Sequence, residues 1–260
     1  MISSTSNSQI KYVAALNKKA KLRKADGLFV TEGIKMFSEV PSGMIQKAYV
    51  SESFLKGKGH EALLKGISWE CVSDDAFRAM SDTQTPQGIL ALVKQFHYTI
   101  EDLFQQPGND HLMVLEAVQD PGNLGTIIRA GEGAGITGVI MSEGTADIYN
   151  PKTIRSTMGS VCRVPFLYTE DLQGTLTLLK SRGVRLFAAH LGGRHDYDQE
   201  DYTGNTGFLI GNEANGLSER TASMADALVK IPMAGKVESL NAAVAASVLM
   251  FEAARQRRNK

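Results

Sequence analysis

The sequence has few cysteines, no net charge and no long apolar run. Its two cysteines among 260 residues, Cys71 and Cys162, are too few for a disulfide framework or a four-cysteine zinc site. Met1–Leu16 lacks the apolar core typical of a signal peptide, and the apolar stretch Ala242–Phe251 is too short to cross a bilayer. We therefore expect a cytoplasmic protein with no membrane span and no bound metal.

Basic and acidic residues balance at 28 each, which excludes a strongly charged chain, but the charge is unevenly distributed. Residues 1–100 hold 13 Lys and Arg against 9 Asp and Glu, whereas residues 101–260 hold 15 against 19. Near the N-terminus, basic residues occur without any acidic one. They are Lys11, Lys18, Lys19, Lys21, Arg23 and Lys24. Such a block is typical of a solvated helix face, and contact with a polyanion such as RNA is the alternative interpretation.

Strand-like and helix-like patterns alternate along both halves of the chain. The first 95 residues have the pattern of a compact α/β unit. A polar stretch, Gln105–Asp110, then contains a proline and a glycine and is typical of a linker. We therefore predict two domains, residues 1–106 and residues 107–260.

The second domain begins with a segment that is apolar at nearly every position. His111–Ala117 has the composition of a strand buried on both faces of a parallel sheet. Further strands are predicted at Gly138–Ser142, Phe208–Gly211 and Ala227–Ile231, and Ala242–Arg257 is predicted to be the last helix. This alternation predicts an α/β domain whose parallel sheet has helices on both faces.

One glycine motif in this domain resembles a dinucleotide-binding loop but has the wrong context. Gly133–Gly138 fits the G-x-G-x-x-G pattern. A phosphate-binding loop of this type follows a strand and begins a helix. Here the glycines end a predicted helix and precede a strand, so the motif is interpreted as a helix C-cap and turn. A nicotinamide-dependent oxidoreductase is therefore disfavoured.

Three polar, glycine-containing segments occur beside predicted strands, at residues 116–129, 208–217 and 230–241. Taken singly, they are ordinary turns and helix caps, and either Ser239 or Asn241 has the side chain to cap the last helix. Loops beyond the carboxyl ends of parallel strands are also the places where ligands bind in α/β sheets.

Together and in this order, the segments resemble the three signature motifs of the SpoU (TrmH-like) RNA ribose 2′-O-methyltransferases of the SPOUT class. The first motif is matched by Asn123 through Arg129, and the second by Gly211-Asn212-Glu213. The third is matched by Ile231–Gly235 with Ser239-Leu240-Asn241. The basic first domain is similar to the ribosomal-protein-like RNA-binding domain that often precedes this catalytic domain.

The resemblance implies a fold, a reaction and partners. The fold would be a C-terminal SPOUT domain with a parallel sheet and a deep trefoil knot, preceded by the smaller α/β RNA-binding domain. The protein would be a homodimer through its catalytic domain. It would transfer a methyl group from S-adenosylmethionine to a ribose 2′-hydroxyl of structured RNA, with ribosomal RNA favoured over transfer RNA. The alternatives are a transfer-RNA 2′-O-methyltransferase and a non-catalytic RNA-binding factor of ribosome assembly.

The resemblance also implies roles for individual residues. The residues expected to act in catalysis are Arg129, Asn123, Glu213, Ser239 and Asn241. The residues expected to hold the cofactor are Gly211, Asn212, Gly216, Ile231, Met233, Leu240 and Asn241. A guanidinium does not lose its proton in proteins, so Arg129 is expected to act through its charge and not as a base.

Overall fold

The computed structural model describes residues 1–104 and 109–259, and the chain divides into two compact units. Unit 1 comprises residues 1–96 and 147–162, and unit 2 comprises residues 97–146 and 163–260. The predicted boundary between residues 106 and 107 lies outside the described residues and stays a prediction.

Unit 1 contains a four-stranded mixed sheet and short helices. Its α-helices are α1 (Ser8–Lys18), α2 (Ala20–Asp26), α3 (Ile34–Glu39), α4 (Glu52–Leu55), α5 (Asp74–Met80) and α7 (Pro151–Thr157). Its strands are β1 (Leu28–Glu32), β2 (Ile45–Ser51), β3 (Trp69–Val72) and β4 (Ile89–Lys94). Short 3-10 helices occur at Ser42–Met44, His60–Leu64 and Ser160–Cys162. The strand order is β1-β4-β2-β3, in which β4 is antiparallel to both neighbours and β3 is parallel to β2.

The first helix buries one face and exposes its lysines on the other. Ile10, Val13 and Leu16 recur at helical spacing and belong to the core cluster that includes α5 and the sheet. The helix is capped by Asn7, whose side chain accepts a hydrogen bond from the backbone N–H of Gln9. The amphipathic pattern therefore fixes which side of α1 faces water.

Residues 147–162, which belong to the predicted second domain, pack within unit 1. Asp147 accepts hydrogen bonds from the Arg23 guanidinium at 2.6 and 3.0 Å. The Tyr149 hydroxyl bonds the backbone N–H and carbonyl of Phe96, and its ring lies 4.7 Å from that of Phe29. Arg155 pairs with Asp82. No local sequence pattern indicates that residues 147–162 pack in unit 1.

Unit 2 is built on a seven-stranded sheet. Its α-helices are α6 (Pro121–Ala134), α8 (Leu172–Ser181), α9 (Glu219–Ala222) and α10 (Ala242–Arg258). Its strands are β5 (His111–Leu115), β6 (Gly138–Ser142), β7 (Phe166–Thr169), β8 (Arg185–Ala189), β9 (His195–Asp196), β10 (Thr206–Ile210) and β11 (Ala227–Lys230). Short 3-10 helices occur at Glu101–Leu103 and Tyr197–Gln199. The strand order is β7-β6-β5-β10-β8-β11-β9, and every pair is parallel.

The central strands of this sheet are covered on both faces. Every residue of β5, β6 and β10 is buried. Leu112 and Val114 pack in a core cluster with Leu176 and Leu179 of α8, while α10 packs against α6 and β10. The predicted α/β class and parallel sheet are confirmed. The trefoil knot stays a prediction.

The glycine motif at the end of α6 has the context expected of a helix end. Gly135 has a positive φ of 76° and follows the last residue of α6, and β6 begins three residues later. It therefore forms a C-cap and turn, not a dinucleotide loop. None of the helices in residues 1–104 and 109–259 combines the length and apolar composition needed to cross a bilayer.

We predict that Asp147→Asn destabilises the protein by about 2 kcal/mol, because it leaves a buried cation without its charged partner. The Arg23 side chain is only 4% exposed. Asp82→Asn is the matched control, since it removes a charge from the more exposed Arg155 pair and is expected to cost less than about 1 kcal/mol. Urea denaturation measures both variants, and equal losses would contradict the assignment.

Candidate functional site

Three loops lie at the carboxyl ends of parallel strands, which is where ligands bind in α/β sheets. We call them the first loop (residues 116–120), the second loop (residues 211–218) and the third loop (residues 231–241). They follow β5, β10 and β11 respectively. β5 and β10 end level, with Leu115 opposite Ile210, and the N–H of Glu116 donates to the carbonyl of Ile210 at 2.9 Å.

The side-chain amide of Asn123, in the first turn of α6 just after the first loop, joins the second and third loops. Its Nδ2 donates to Glu213 Oε1 in the second loop at 2.9 Å. Its Oδ1 accepts from Asn241 Nδ2 at the end of the third loop at 3.0 Å. Asn241 also caps α10, accepting from the N–H groups of Ala243 and Val244, so the prediction that Ser239 or Asn241 caps the last helix is confirmed for Asn241.

Asn123 is available for these bonds because another residue caps α6. The helix begins at Pro121, and the Asp120 side chain accepts from the N–H of Asn123 at 2.8 Å. Asp120, and not Asn123, is therefore the N-cap of α6. Its side chain is directed to the neighbouring loops, and its own N–H is satisfied by Asp120.

Glu213 is held as a carboxylate by the first loop. Oε2 accepts from the N–H of Gln119 at 3.0 Å, and Oε1 accepts from the N–H of Asp120 at 3.1 Å as well as from Asn123. Burial raises the pKa of Glu213, but the hydrogen bonds from Asn123 and from these backbone groups outweigh it, so its pKa lies below the usual value. The carboxylate therefore stays charged at neutral pH.

The backbone of the first loop is strained at Ala117, which has a positive φ of 53° without being glycine. Its N–H donates to Ser142 Oγ at 2.9 Å, and its carbonyl accepts from Asn212 Nδ2 at 2.8 Å. The two bonds hold Ala117 from both sides. Asn212, predicted to bind cofactor, thus has a defined structural contact to the first loop.

The two glycines of the second loop are required by the loop itself. A Cβ on Gly211 would lie 2.1 Å from the carbonyl carbon of Gly216, and Gly216 has a positive φ of 67°. Asn212 and Gly216 exchange backbone hydrogen bonds of 3.0 and 2.8 Å. The structure shows a tight backbone crossing at Gly211.

The remaining predicted site residues are not joined to this cluster by hydrogen bonds. Arg129 is exposed on α6, and Ser239 is exposed in the third loop. Within the described part of the chain, neither side chain has a hydrogen bond or an ion pair. Ile231, Met233 and Leu240 are half-buried apolar side chains of the third loop. The roles assigned to these five residues stay predictions.

Two residues that bind across the loops were missed from the sequence. Asp120 caps α6, and Glu116 accepts hydrogen bonds from Ser218 and Thr221 at the end of the second loop. A carboxylate directly after a buried strand was the available signal for Glu116. A carboxylate before Pro-Gly was the signal for Asp120.

The apolar and charged side chains of the three loops suit an organic cofactor. Half-buried apolar side chains of the third loop offer contact for an aromatic base, and the Glu213 carboxylate gives the site a negative charge that favours a cationic ligand. Across residues 1–104 and 109–259, no three His, Cys, Asp or Glu side chains are grouped as metal ligands would be.

We predict that Glu213 makes the stability of the protein depend on pH. Because its folded pKa lies below the ordinary value of 4.5, its contribution is complete above about pH 4.5 and is lost as the pH falls through the folded value. The difference in unfolding free energy between wild type and Glu213→Gln should therefore shrink below pH 4.5. Chemical denaturation between pH 7 and pH 3 measures it. A difference that stays constant over this pH range would contradict the assignment.

Comparison with known families gives two matches, one in the C-terminal part of the chain and one in the N-terminal part. Residues 110–251 match the SpoU rRNA Methylase family, which covers more than half of the chain and all three loops. Residues 7–91 match the MRM3-like substrate binding domain. The family resemblance predicted from the three motifs is therefore confirmed.

Similar proteins span nearly the whole chain. The 23S rRNA (guanosine(2553)-2′-O)-methyltransferase RlmP of Bacillus subtilis is 32% identical over 96% of this chain and 97% of its own. The AdoMet-bound rRNA methyltransferase from Sinorhizobium meliloti is 30% identical, with a TM-score of 0.86 over 98% of this chain and 97% of its own. The SpoU methyltransferase AviRb from Streptomyces viridochromogenes, solved in complex with the cofactor AdoMet, is 27% identical, with a TM-score of 0.88 over 97% and 98%. The chain belongs to the SpoU rRNA methylase family.

Proposed function

We propose that this protein transfers the methyl group of S-adenosylmethionine to a ribose 2′-hydroxyl of ribosomal RNA. The observation that carries the proposal is the hydrogen-bonded chain Glu213–Asn123–Asn241, which joins the three family motifs at one sheet edge. Ribosomal RNA is favoured over transfer RNA because a relative matched over nearly its whole length is named for 23S rRNA. A substrate of this kind implies a cytoplasmic location.

The second and third loops provide the groups that would hold the cofactor. Gly211, Asn212 and Gly216 would contribute backbone groups, as the family resemblance implies. Apolar contact with the adenine would come from the half-buried side chains of the third loop, Ile231, Met233 and Leu240. When bound, S-adenosylmethionine supplies a methyl group already activated by a positive sulfonium, so the protein has only to activate the acceptor.

Arg129 is the residue that we assign to the acceptor. The 2′-oxygen forms a bond to the methyl carbon as the carbon–sulfur bond breaks, and the hydroxyl proton must leave to water or to a phosphate oxygen. A guanidinium cannot take that proton, but its charge stabilises the developing alkoxide and holds the adjacent phosphate. Arg129 is exposed and makes no hydrogen bond or ion pair with the described residues, so its donors are available for RNA. Asn123, Glu213, Ser239 and Asn241 would orient the loops and the ribose.

We predict that Arg129→Ala lowers turnover by about 10²–10³, by analogy with the loss of one oxyanion donor, and leaves the affinity for S-adenosylmethionine nearly unchanged. Methyl transfer to ribosomal RNA and calorimetric titration of the cofactor measure the two effects. Arg258→Ala, another exposed arginine of unit 2, is the control and should retain wild-type turnover.

An Arg129→Ala enzyme with normal turnover would refute the role of this residue. Wild-type protein that binds no S-adenosylmethionine would instead favour the alternative of a non-catalytic ribosome-assembly factor. Methylation of transfer RNA but not of ribosomal RNA would support the alternative substrate.

The RNA-binding surface that we propose lies on α1 and α2 of unit 1. Its exposed basic residues are Lys11, Lys18, Lys19, Lys21 and Lys24. Arg23, which the sequence placed in the same group, is a different case. Its guanidinium is buried and donates to Asp147 and to the carbonyls of Leu16 and Asn17, so the structure does not support it as an RNA contact. We therefore propose that the five lysines, but not Arg23, contact RNA.

We predict that replacing three of these lysines by alanine weakens RNA binding and flattens its dependence on salt. The log–log slope should fall by up to about one for each phosphate that the variant no longer neutralises. The variant carries Lys18→Ala, Lys21→Ala and Lys24→Ala. The control removes the same charge elsewhere in unit 1, through Lys35→Ala, Lys58→Ala and Lys65→Ala. Filter binding across a salt series measures both, and identical salt slopes would mean that the basic face is only solvated.

The homodimer interface that we propose is an apolar stripe on α10. Val244 and Phe251 are 48% and 46% exposed, and the half-buried Val248 lies between them at helical spacing. A Cβ on Gly133 of α6 would lie 3.6 Å from Phe251, and Gly133 is one helical turn beyond Arg129. A second copy on this stripe would therefore lie beside the catalytic arginine.

We predict that Phe251→Glu converts the dimer to a monomer, because a charge in an apolar interface loses its hydration without gaining a partner. Light scattering gives the mass in solution. Leu178→Glu changes an exposed apolar residue of α8 in the same way and should leave the dimer intact. A dimeric Phe251→Glu protein would show that the interface lies elsewhere.

A further inference from the structure

Glu116 places a carboxylate at the sheet edge. Neither the family motifs nor the proposed mechanism gives this residue a role. It is the first residue after β5 and is half-buried. Its Oε2 accepts from the N–H of Ser218 at 2.8 Å. Its Oε1 accepts from the hydroxyls of Ser218 and Thr221 at 2.8 and 2.7 Å. Three donors from one short segment therefore converge on this side chain.

These donors lie where the second loop ends. Ser218 is the N-cap of α9, and its hydroxyl accepts from the N–H of Thr221. The preceding residue, Leu217, is buried in the core cluster of the sheet, and Thr221 is fully buried. Between Gly211 and Leu217 the loop crosses its own backbone. Glu116 thus fixes the point at which the loop returns to the core.

Two carboxylates, one from each loop, connect the first and second loops. Glu213 of the second loop accepts from Gln119 and Asp120, whereas Glu116, from the first loop, accepts from Ser218 and Thr221. Each loop therefore supplies the acceptor for the donors of the other. Charge-assisted hydrogen bonds of this kind are stronger than neutral ones.

We infer that Glu116 is a positioning residue for the methyl-donor site. It acts through Ser218 to hold the second loop in its cofactor-binding conformation and does not touch the reacting atoms. The inference rests on the proposed function, in which the second loop holds S-adenosylmethionine. Both carboxylate oxygens are occupied by donors from the protein, so Glu116 is not the base that receives the hydroxyl proton.

The test is the Glu116→Gln variant of the full-length protein. A glutamine keeps one acceptor oxygen, but its amide group must face a Ser218 or Thr221 donor. The dissociation constant for S-adenosylmethionine, measured by calorimetry, should rise about tenfold. Turnover at saturating cofactor should stay within about twofold of wild type. Hydrogen exchange at the Ser218 amide should also become faster, and Glu116→Asp should recover part of the affinity.

Asp226→Asn is the matched control. Asp226 also accepts a backbone hydrogen bond, from Leu186 at 2.8 Å, and pairs with Lys180, but it precedes β11 and lies at the amino end of the strands. We expect it to lower the melting temperature without changing the cofactor dissociation constant. The Ser218→Ala variant removes the hydroxyl bond to Glu116 and should also weaken binding, and its effect should be less than additive with that of Glu116→Gln, since the two variants share this bond.

Two results would overturn the inference. One is a Glu116→Gln protein that binds S-adenosylmethionine as wild type does, even if its melting temperature falls as that of Asp226→Asn should. The other is a fall in turnover at saturating cofactor with unchanged affinity, because that would place Glu116 in the chemistry. If the wild-type protein binds no S-adenosylmethionine, the proposed function itself fails, which is a separate outcome.

Discussion

The side-chain amide of Asn123 is the interaction on which the arrangement of this site depends. Its two ends bind residues 90 and 118 positions away in the chain, Glu213 in the second loop and Asn241 in the third. An amide can do this because it donates and accepts at once. The carboxylates Glu213 and Glu116 reinforce the same junction between the first two loops. An aspartate at this position could only accept, so it would lose one of the two connections.

The parallel sheet explains why the junction forms at this edge. Parallel strands end on the same side, and β5 and β10 are adjacent and level. The strand order brings together loops that are distant in sequence, and the buried strands give them a rigid base. Loops fixed in this way can keep an exposed arginine and exposed loop residues available for substrates. The strained Ala117, held by Ser142 and Asn212, is the local cost of bending the first loop.

Much of the fold could be predicted from the sequence, because periodicity and composition indicate which residues are buried. The almost entirely apolar β5, the cap on α10 and the glycine C-cap of α6 all follow from short-range rules. The packing of residues 147–162 in unit 1 could not be predicted, since it depends on the Arg23–Asp147 pair across 124 positions. For the same reason Arg23 looked like its exposed lysine neighbours. Asn123 resembled an N-cap because its long-range partners leave no local pattern.

The proposed site requires three loops to act as one cofactor pocket, and hydrogen–deuterium exchange with and without S-adenosylmethionine tests this most directly. Slower exchange in residues 116–120, 211–218 and 231–241 together, with unit 1 unchanged, is the predicted result. Protection of only one loop, or protection centred on unit 1, would contradict the claim that the three loops form a single site.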